Sequence, residues 1–362
     1  MPTSATSATD RSVAGTTGRC ILCGDQGLAL YTGLVDSVGQ ASGTWGFLRC
    51  RRCGLLWLTP RPLPADMEKL YAGYHTHACR PPQPFGWREV AKRMVLCARL
   101  HYHCEGVGPL ARLLGRALAL FGPVREAAER SVLGLSRPAD GGVLLDVGCG
   151  NGAFLARMQR LGWQVAGVEP DPEAAEVARR HPGVYVHAGT LHDAQFRDEQ
   201  FDAVTLQHVL EHVLEPVETL RECARVLRPG GSIIVITPNV ESLGHRLFGK
   251  AWRGLEPPRH VYLFNRRTLT DAAEKAGLHV LRCATTSYIA RWMWAASRIL
   301  AKEGRLPGGS APPGRPAHRL LGLLFQMTEY SLAHVYPVGE ELVLVATKTC
   351  DASSDKAGAC GC

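Results

Sequence analysis

The sequence predicts an α/β fold, a sheet of buried strands joined through helices, and three observations carry that expectation. The first is residues 143–154, VLLDVGCGNGAF. Val143, Leu144, Leu145 and Val147 form an apolar run of strand length with Asp146 near its end. Gly148, Gly150 and Gly152 then give a turn without side-chain bulk. Ala153, Phe154, Leu155, Met158 and Leu161 recur at helical spacing up to Gly162. The second is residues 163–169, WQVAGVE, a strand that ends in the carboxylate of Glu169, 23 positions beyond Asp146. The third is the continued alternation downstream. Residues 184–186 and 201–206 read as strands, and Val217, Leu220, Ala224 and Leu227 as a helical stripe ended by Pro229, Gly230 and Gly231. Residues 232–236, SIIVI, suit a strand buried on both faces.

The first unit also has a chemical reading. Strand, glycine turn and helix form a cradle for a nucleotide cofactor, because the backbone approaches the ligand and a helix N-terminus offers free amides. A carboxylate at the end of the second strand is placed to accept two hydrogen bonds from a ribose diol. Asp171 follows as an N-cap, with Pro172 as the first helical residue. Asp146, Gly148, Cys149, Gly150 and Glu169 are therefore cofactor-binding candidates. A structural turn that binds nothing is the alternative for the glycines alone, and Glu169 at this separation speaks against it.

Four runs in order, DVGCGNGAF, GVEPDPEAAEVAR, FDAVTLQHVLEHV and LRPGGSIIVITPN, resemble those of a class I S-adenosylmethionine (SAM)-dependent methyltransferase. The chain is most similar to the group that holds the ubiquinone-biosynthesis O-methyltransferases, over residues 140–285 and again over 339–348. The resemblance implies a seven-stranded Rossmann-like sheet, SAM as cofactor, and methyl transfer to a small-molecule, glycan or lipid-linked acceptor, with oxygen the favoured atom. It is specific for cofactor and fold, not for the acceptor. A catalytically inactive scaffold on the same fold is the rival reading, and the intact glycine turn and Glu169 argue against it.

By the same resemblance, the loop from Gly189 to Phe196 holds adenine. An acid often follows the glycine there, but Thr190 stands in its place; Asp193 could substitute, and the backbone at Thr190 and Leu191 is the safer contact. Gln207 and His208, at the end of the fourth strand, approach the methionine part of the cofactor. His208 and His212 lie four apart, which on a helix would put them on one face beside Glu211; HxxEH lacks a nearby third ligand, so no metal is assigned. The loop with Trp252, Arg253, Glu256, Arg259, His260 and Tyr262 is rich in polar and aromatic groups, as binding loops are. It resembles the Pro-x-His segment that faces the acceptor in this group. His260 is the leading general-base candidate, with His208 second; a histidine that only staples the loop is the alternative for His260.

The chain of 362 residues exceeds one average domain, and its apolar fraction of 46% is ordinary for a globular protein. A net charge of +8 without a concentrated Lys/Arg run does not favour nucleic acid as a partner. Residues 1–18 have no apolar core of a signal peptide and read as a disordered arm. Thirteen cysteines in such a chain point to a reducing, cytoplasmic compartment and to metal ligation rather than disulfides.

Cys20, Cys23 and Gly24, then Cys50, Cys53 and Gly54, form two CxxCG knuckles with 26 residues between Cys23 and Cys50. Together they supply the four thiolates that structural zinc prefers, and a hairpin ending in residues 45–49 fits between them. A redox role would need a single CxxC beside a βαβ unit, which is absent here. A segment this small has too little core and needs such a staple. The following residues, 55–62 and 70–74, resemble the zinc-bearing N-terminal module of some methyltransferases of this group. That implies a zinc-ribbon-like module packed beside the cofactor domain.

The expected organisation is a zinc module at 19–79, a helical cap and linker at 80–137, and the cofactor domain at 138–349. The domain carries a lid insertion at 286–338, and residues 350–362 form a disordered tail in which Cys360 and Cys362 have no assigned role. Lys92, Arg93, Arg99, Arg112, Arg116, Arg125 and Arg130 on the cap, and Arg291, Arg298, Lys302 and Arg305 on the lid, alternate with apolar residues. A solvated lid is the plain reading; a peripheral membrane contact or an anionic substrate also suits such faces. No uninterrupted apolar run reaches 18 residues.

Overall fold

The computed structural model describes residues 18–37, 41–64, 86–104, 106–137, 141–306 and 316–349, with residues 67 and 70 between. The expected N-terminal arm, the linker before residue 86, residues 71–74, the Gly/Pro linker at 307–315 and the tail with Cys360 and Cys362 lie outside the described residues.

The N-terminal strands β1 (Gly27–Leu34), β2 (Trp45–Cys50) and β3 (Leu56–Thr59) form an antiparallel meander, as the predicted hairpin requires. The meander is not a separate unit. Its fourth strand comes from far down the chain: Leu56 pairs with Leu263 and Trp57 with Tyr262 on the short strand β9 (Tyr262–Leu263). Leu55, Trp57 and the cysteines share one apolar core with Phe264 and Leu269 of the larger domain. A two-residue strand has no periodic signal, so this seam was not visible in the sequence.

The larger domain is built on a seven-stranded sheet of β4 (Val143–Val147), β5 (Gln164–Glu169), β6 (Tyr185–Ala188), β7 (Phe201–Gln207), β8 (Leu227–Pro238), β10 (Leu278–Thr286) and β11 (Glu341–Lys348). Its order is β10-β11-β8-β7-β4-β5-β6. Strands β8 to β6 run parallel, while β11 is antiparallel to β8 and to β10. Leu144, Leu145, Val204, Leu206, Ile233 and Val235 are fully buried or nearly so, as expected of strands covered on both faces. β4 lies between β5 and β7, so the chain leaves it at the point where strand order reverses, the usual place for a crevice at the carboxyl edge.

Helices α4 (Ala153–Arg160), α5 (Pro172–Arg179), α6 (Pro216–Val226) and α8 (Arg266–Lys275) connect these strands. Asp171 caps α5 as predicted, its Oδ1 accepting from the amides of Glu173 and Ala174. α8 begins in a capping box: the Asn265 side chain accepts from Thr268 N at 2.8 Å, and the Thr268 hydroxyl accepts from Asn265 N at 2.9 Å. Asn265 Nδ2 also donates to Cys53 O at 3.2 Å, tying the cap to the second cysteine knuckle. Asn265→Ala is expected to lower the unfolding free energy by about 0.5–2 kcal/mol, the usual worth of such a cap. A fall in the urea midpoint at constant slope is the measurement.

The first cap consists of α1 (Trp87–Arg99), α2 (Pro109–Ala119) and α3 (Gly122–Ser131). Within the expected cap and linker, the first helix begins at Trp87, past Pro84, the last proline before it, and buries Val95 and Leu96. The lid holds α9 (Ala290–Glu303) and α10 (Pro316–Ala333), and the short α7 (Leu243–Phe248) follows β8.

Candidate active site

The glycine turn after β4 is held from beneath by β5. Gly148 N and Cys149 N both donate to Val168 O, at 2.8 and 3.1 Å. Gly150 N donates to Glu169 Oε2 at 2.7 Å, and Asp171 N to Glu169 Oε1 at 3.0 Å. The turn amides of Gly148, Cys149 and Gly150 are thus bonded inside the protein. Glu169 is a buried latch, 6% exposed, that fixes the turn rather than a carboxylate standing free in the cleft. Gly148 and Gly152 allow close packing within the protein. Gly148 has φ +70°, and a Cβ there would fall 2.4 Å from Val209 Cγ2, so no side chain fits.

Asp146 lies under the turn and faces inward. It is 2% exposed and accepts from Thr205 Oγ1 at 2.6 Å, while burial pushes its pKa up to about 7. Cys149 is buried, and burial raises its thiol well above the ordinary range. In the next loop, Asp193 Oδ2 accepts from Thr190 N at 3.0 Å and from Thr190 Oγ1 at 2.6 Å. The carboxylate considered as an adenine contact is thus engaged with the residue beside it. The Leu191 side chain packs in the core.

At the end of β7 the chain bends through His208, whose φ of +53° is uncommon for a residue with a side chain. Residues 208–213 form a turn, not a helix, so His208 and His212 do not share a face as the spacing suggested. The His208 ring sits between two buried carboxylates, Nε2 at 2.8 Å from Glu341 Oε1 and Nδ1 at 3.2 Å from Glu211 Oε1. Burial opposes charge on the ring, but the hydrogen bonds to Glu211 and Glu341 override it and push its pKa up to about 9. Its side chain remains 36% exposed, on the edge where ligands lie in such sheets. Gln207 Oε1 accepts from Arg130 Nη1 at 3.1 Å, and Arg130 Nη2 reaches Glu341 Oε1 at 3.2 Å. The guanidinium also lies 5.7 Å from the ring centre of Tyr288. The first cap and the start of the lid thus converge on the strand edge.

His260 does not stand where a general base would. It is 5% exposed, its Nδ1 donates to Gly254 O at 2.7 Å, and burial followed by the neighbouring His212 lowers its pKa to about 4. This is the loop-stapling alternative. His212 Nδ1 likewise donates to Arg259 O at 3.0 Å. His260 Nε2 lies 3.6 Å from Glu256 Oε2, and Glu211, His212 and His260 bring ligand atoms within 4.8 Å of one another. His260 thus supplies the third donor that HxxEH lacks locally, and the set is of a kind that holds a divalent cation. Behind it, Glu256 pairs with Arg253 and Arg259, and Arg259 pairs with Asp36 at 2.5 and 3.0 Å. This buried chain of charges runs from His208 to the N-terminal meander.

The four knuckle cysteines converge as predicted. Sγ separations are 3.5 Å for Cys20–Cys53, 3.4 Å for Cys23–Cys50 and 3.8 Å for Cys23–Cys53. A disulfide would require about 2.05 Å, whereas tetrahedral ligation at about 2.3 Å gives roughly 3.8 Å between sulfurs.

Arg130, Glu341 and Asp36 were not identified as site residues from the sequence. Arg130 was one of several cap arginines, and nothing in its surroundings distinguishes it. Glu340 and Glu341, two carboxylates opening an otherwise apolar strand, were the one available signal.

A family model described as a methyltransferase domain matches residues 110–282. A ubiquinone biosynthesis O-methyltransferase of Mesorhizobium japonicum is 31% identical over 176 residues, 44% of this chain and 71% of that protein. The protein of the same name from Xanthomonas oryzae pv. oryzae is 42% identical over 105 residues, 27% of this chain. The match covers 44% of that relative, so the chain spans less than half the length of the Xanthomonas proteins. Among solved structures, a SAM-dependent methyltransferase from Archaeoglobus fulgidus superposes with a TM-score of 0.43 and 16% identity, over 62% of this chain and 93% of that one. The motif order, the strand order with its antiparallel β11, and the relative matched over most of its length agree: the chain belongs to the class I SAM-dependent methyltransferases.

Proposed function

We propose that this protein transfers a methyl group from SAM to an oxygen of a small-molecule acceptor. The observation that carries the reading is the juxtaposition at one sheet edge of a glycine-rich turn latched by Glu169 and the His208 ring held by Glu211 and Glu341. The names of the relatives support oxygen as the acceptor atom. When bound, SAM supplies a methyl group already activated on a sulfonium. The residues then have three tasks: alignment, exclusion of water and removal of one proton. Gly148 and Gly150 let the backbone approach the cofactor, with Glu169 fixing the turn and the Thr190–Leu191 backbone lining the adenine side. Arg130 and Tyr288 close the edge from the caps. His208 takes the acceptor proton in its neutral form, on a ring nitrogen from which the acceptor hydroxyl displaces the carboxylate, and the carboxylate on the other nitrogen stabilises the imidazolium that results. His260 keeps the loop in place.

Methyl-labelled SAM incubated with the chain and a cell extract is the test, with the labelled product identified by mass spectrometry. Label in a neutral methyl ether supports the reading. SAM binding without transfer to any fraction would favour the inactive scaffold.

Cys20, Cys23, Cys50 and Cys53 are proposed to hold one structural zinc ion, because four sulfur ligands close the coordination shell. Elemental analysis of protein purified without chelator is expected to give one zinc per chain. A metal-free preparation that remains folded contradicts the assignment.

A further inference from the structure

The caps carry an apolar surface that the reaction does not use. α2 buries Gly115 and Ala119 on one face, while Leu110, Leu113 and Leu114 on the opposite face are 71%, 60% and 50% exposed. Leu120 and Phe121 extend the stripe just beyond the helix, at 86% and 59%. Arg112 and Arg116 flank it, and α2 contains no acidic residue. α10 repeats the pattern with exposed Leu320, Leu323, Leu324 and Met327, and no acid occurs between residues 319 and 328. α10 meets the start of α3: a Cβ on Gly122, next to Phe121, would fall 1.5 Å from the Tyr330 hydroxyl. Beside the first stripe lies a concavity of about 400 Å³ lined by Ala98, Arg99, Arg116, Ala119, Leu120 and Arg125.

Charge is distributed to match. Residues 87–134 carry eight basic and four acidic side chains, and residues 286–338 carry six and two, so the two caps hold all of the chain's net charge of +8. No helix among the described residues is long and apolar enough to cross a membrane. A basic surface with exposed leucines is instead suited to lying in the interface of a bilayer.

We propose that the exposed face of α2, continued by Leu120 and Phe121, docks on a membrane containing anionic phospholipid. Leu110, Leu113, Leu120 and Phe121 enter the headgroup boundary, and Arg112 and Arg116 meet the phosphates. The concavity, with guanidinium groups beside leucine, suits one phosphate ester with its acyl neighbour. A second copy of the chain is the other occupant such a face invites, and charge argues against it. Pairing the α2 stripe on itself about a two-fold axis brings Arg112 and Arg116 toward their own copies, with no acid on that helix to answer them. The inference stands on this surface alone and does not depend on the methyl-transfer reading.

The test is co-flotation of the full chain with vesicles of phosphatidylcholine, or of phosphatidylcholine with a third of phosphatidylglycerol. Binding to the anionic vesicles is expected to be at least tenfold stronger and to weaken as salt rises. The double variant Arg112→Glu/Arg116→Glu is expected to lose at least tenfold, because each basic side chain at such a surface is worth roughly fivefold. Leu120→Ser/Phe121→Ser is expected to lose binding by a separate route. Both variants should melt at the wild-type temperature, since the altered side chains are exposed. Equal binding to the two vesicle types, no binding to either, or variants that bind as wild type would overturn the proposal. So would a concentration-dependent dimer in light scattering that Leu120→Ser/Phe121→Ser dissolves, which would assign the face to a second copy.

Discussion

His208→Gln is expected to lower kcat/KM by roughly 10²- to 10⁴-fold, the usual cost of losing a general base. The ring lies between Glu341 Oε1 at 2.8 Å and Glu211 Oε1 at 3.2 Å, and its pKa is pushed up to about 9. Only the neutral imidazole can take a proton, so kcat/KM of the wild type should climb about tenfold per pH unit and level near pH 9. The variant should lose that limb and keep its affinity for SAM. A pH profile unchanged by the substitution would exclude His208 as the base. Stability runs the other way. A histidine whose folded pKa is raised contributes stability that is full below its unfolded value of about 6.5 and is lost as pH rises through about 9. The pH range in which activity grows is thus one in which this contribution to folding fades, and thermal melts across it should show the decline.

Glu169→Ala is expected to weaken SAM binding by about 1.5–3 kcal/mol, one to two orders of magnitude in dissociation constant. Its two oxygens hold the amides of Gly150 and Asp171, so removal releases the glycine turn and the approach to α5 together. Because the carboxylate is buried, a loss of unfolding free energy should accompany the loss of affinity, with two amides left without their partner. Glu169→Gln keeps one acceptor oxygen and can hold one of the two amides, so it should fall between wild type and Glu169→Ala on both scales. Calorimetric titration with SAM and urea unfolding measure the two effects. An unchanged affinity in Glu169→Ala would remove Glu169 from the cofactor site.

What was legible in the sequence was local. Residues 143–169 contain strand, turn, helix and second strand within 27 positions, and each is marked by its own periodicity or glycine. The strands β4, β5, β7 and β8 formed from apolar runs read directly, and Asp171 capped the helix assigned to it. The two CxxCG knuckles were legible for the same reason, since four thiolates at that spacing have few other uses. Long-range partners were not. Arg130 meets Gln207 and Glu341 across 77 and 211 positions, and Arg259 meets Asp36 across 223.

Direction of side chains was equally hidden. Glu169 occupies the predicted position but turns toward the Gly150 amide, and His260 lies in the predicted loop but turns inward toward Gly254 O. A polar residue at a loop or strand end looks the same in sequence whether it faces a ligand or satisfies a buried backbone group. The left-handed turn at His208, which separates it from His212, likewise has no signature when the residue is not glycine.

Titration of SAM into the full chain, followed by calorimetry, tests the central claim most directly and needs no knowledge of the acceptor. One saturable site per chain is predicted, accompanied by a rise in melting temperature that grows with SAM concentration. Absence of both the binding heat and the thermal shift, in protein that is folded, would contradict the assignment of the glycine turn and Glu169 as a SAM site.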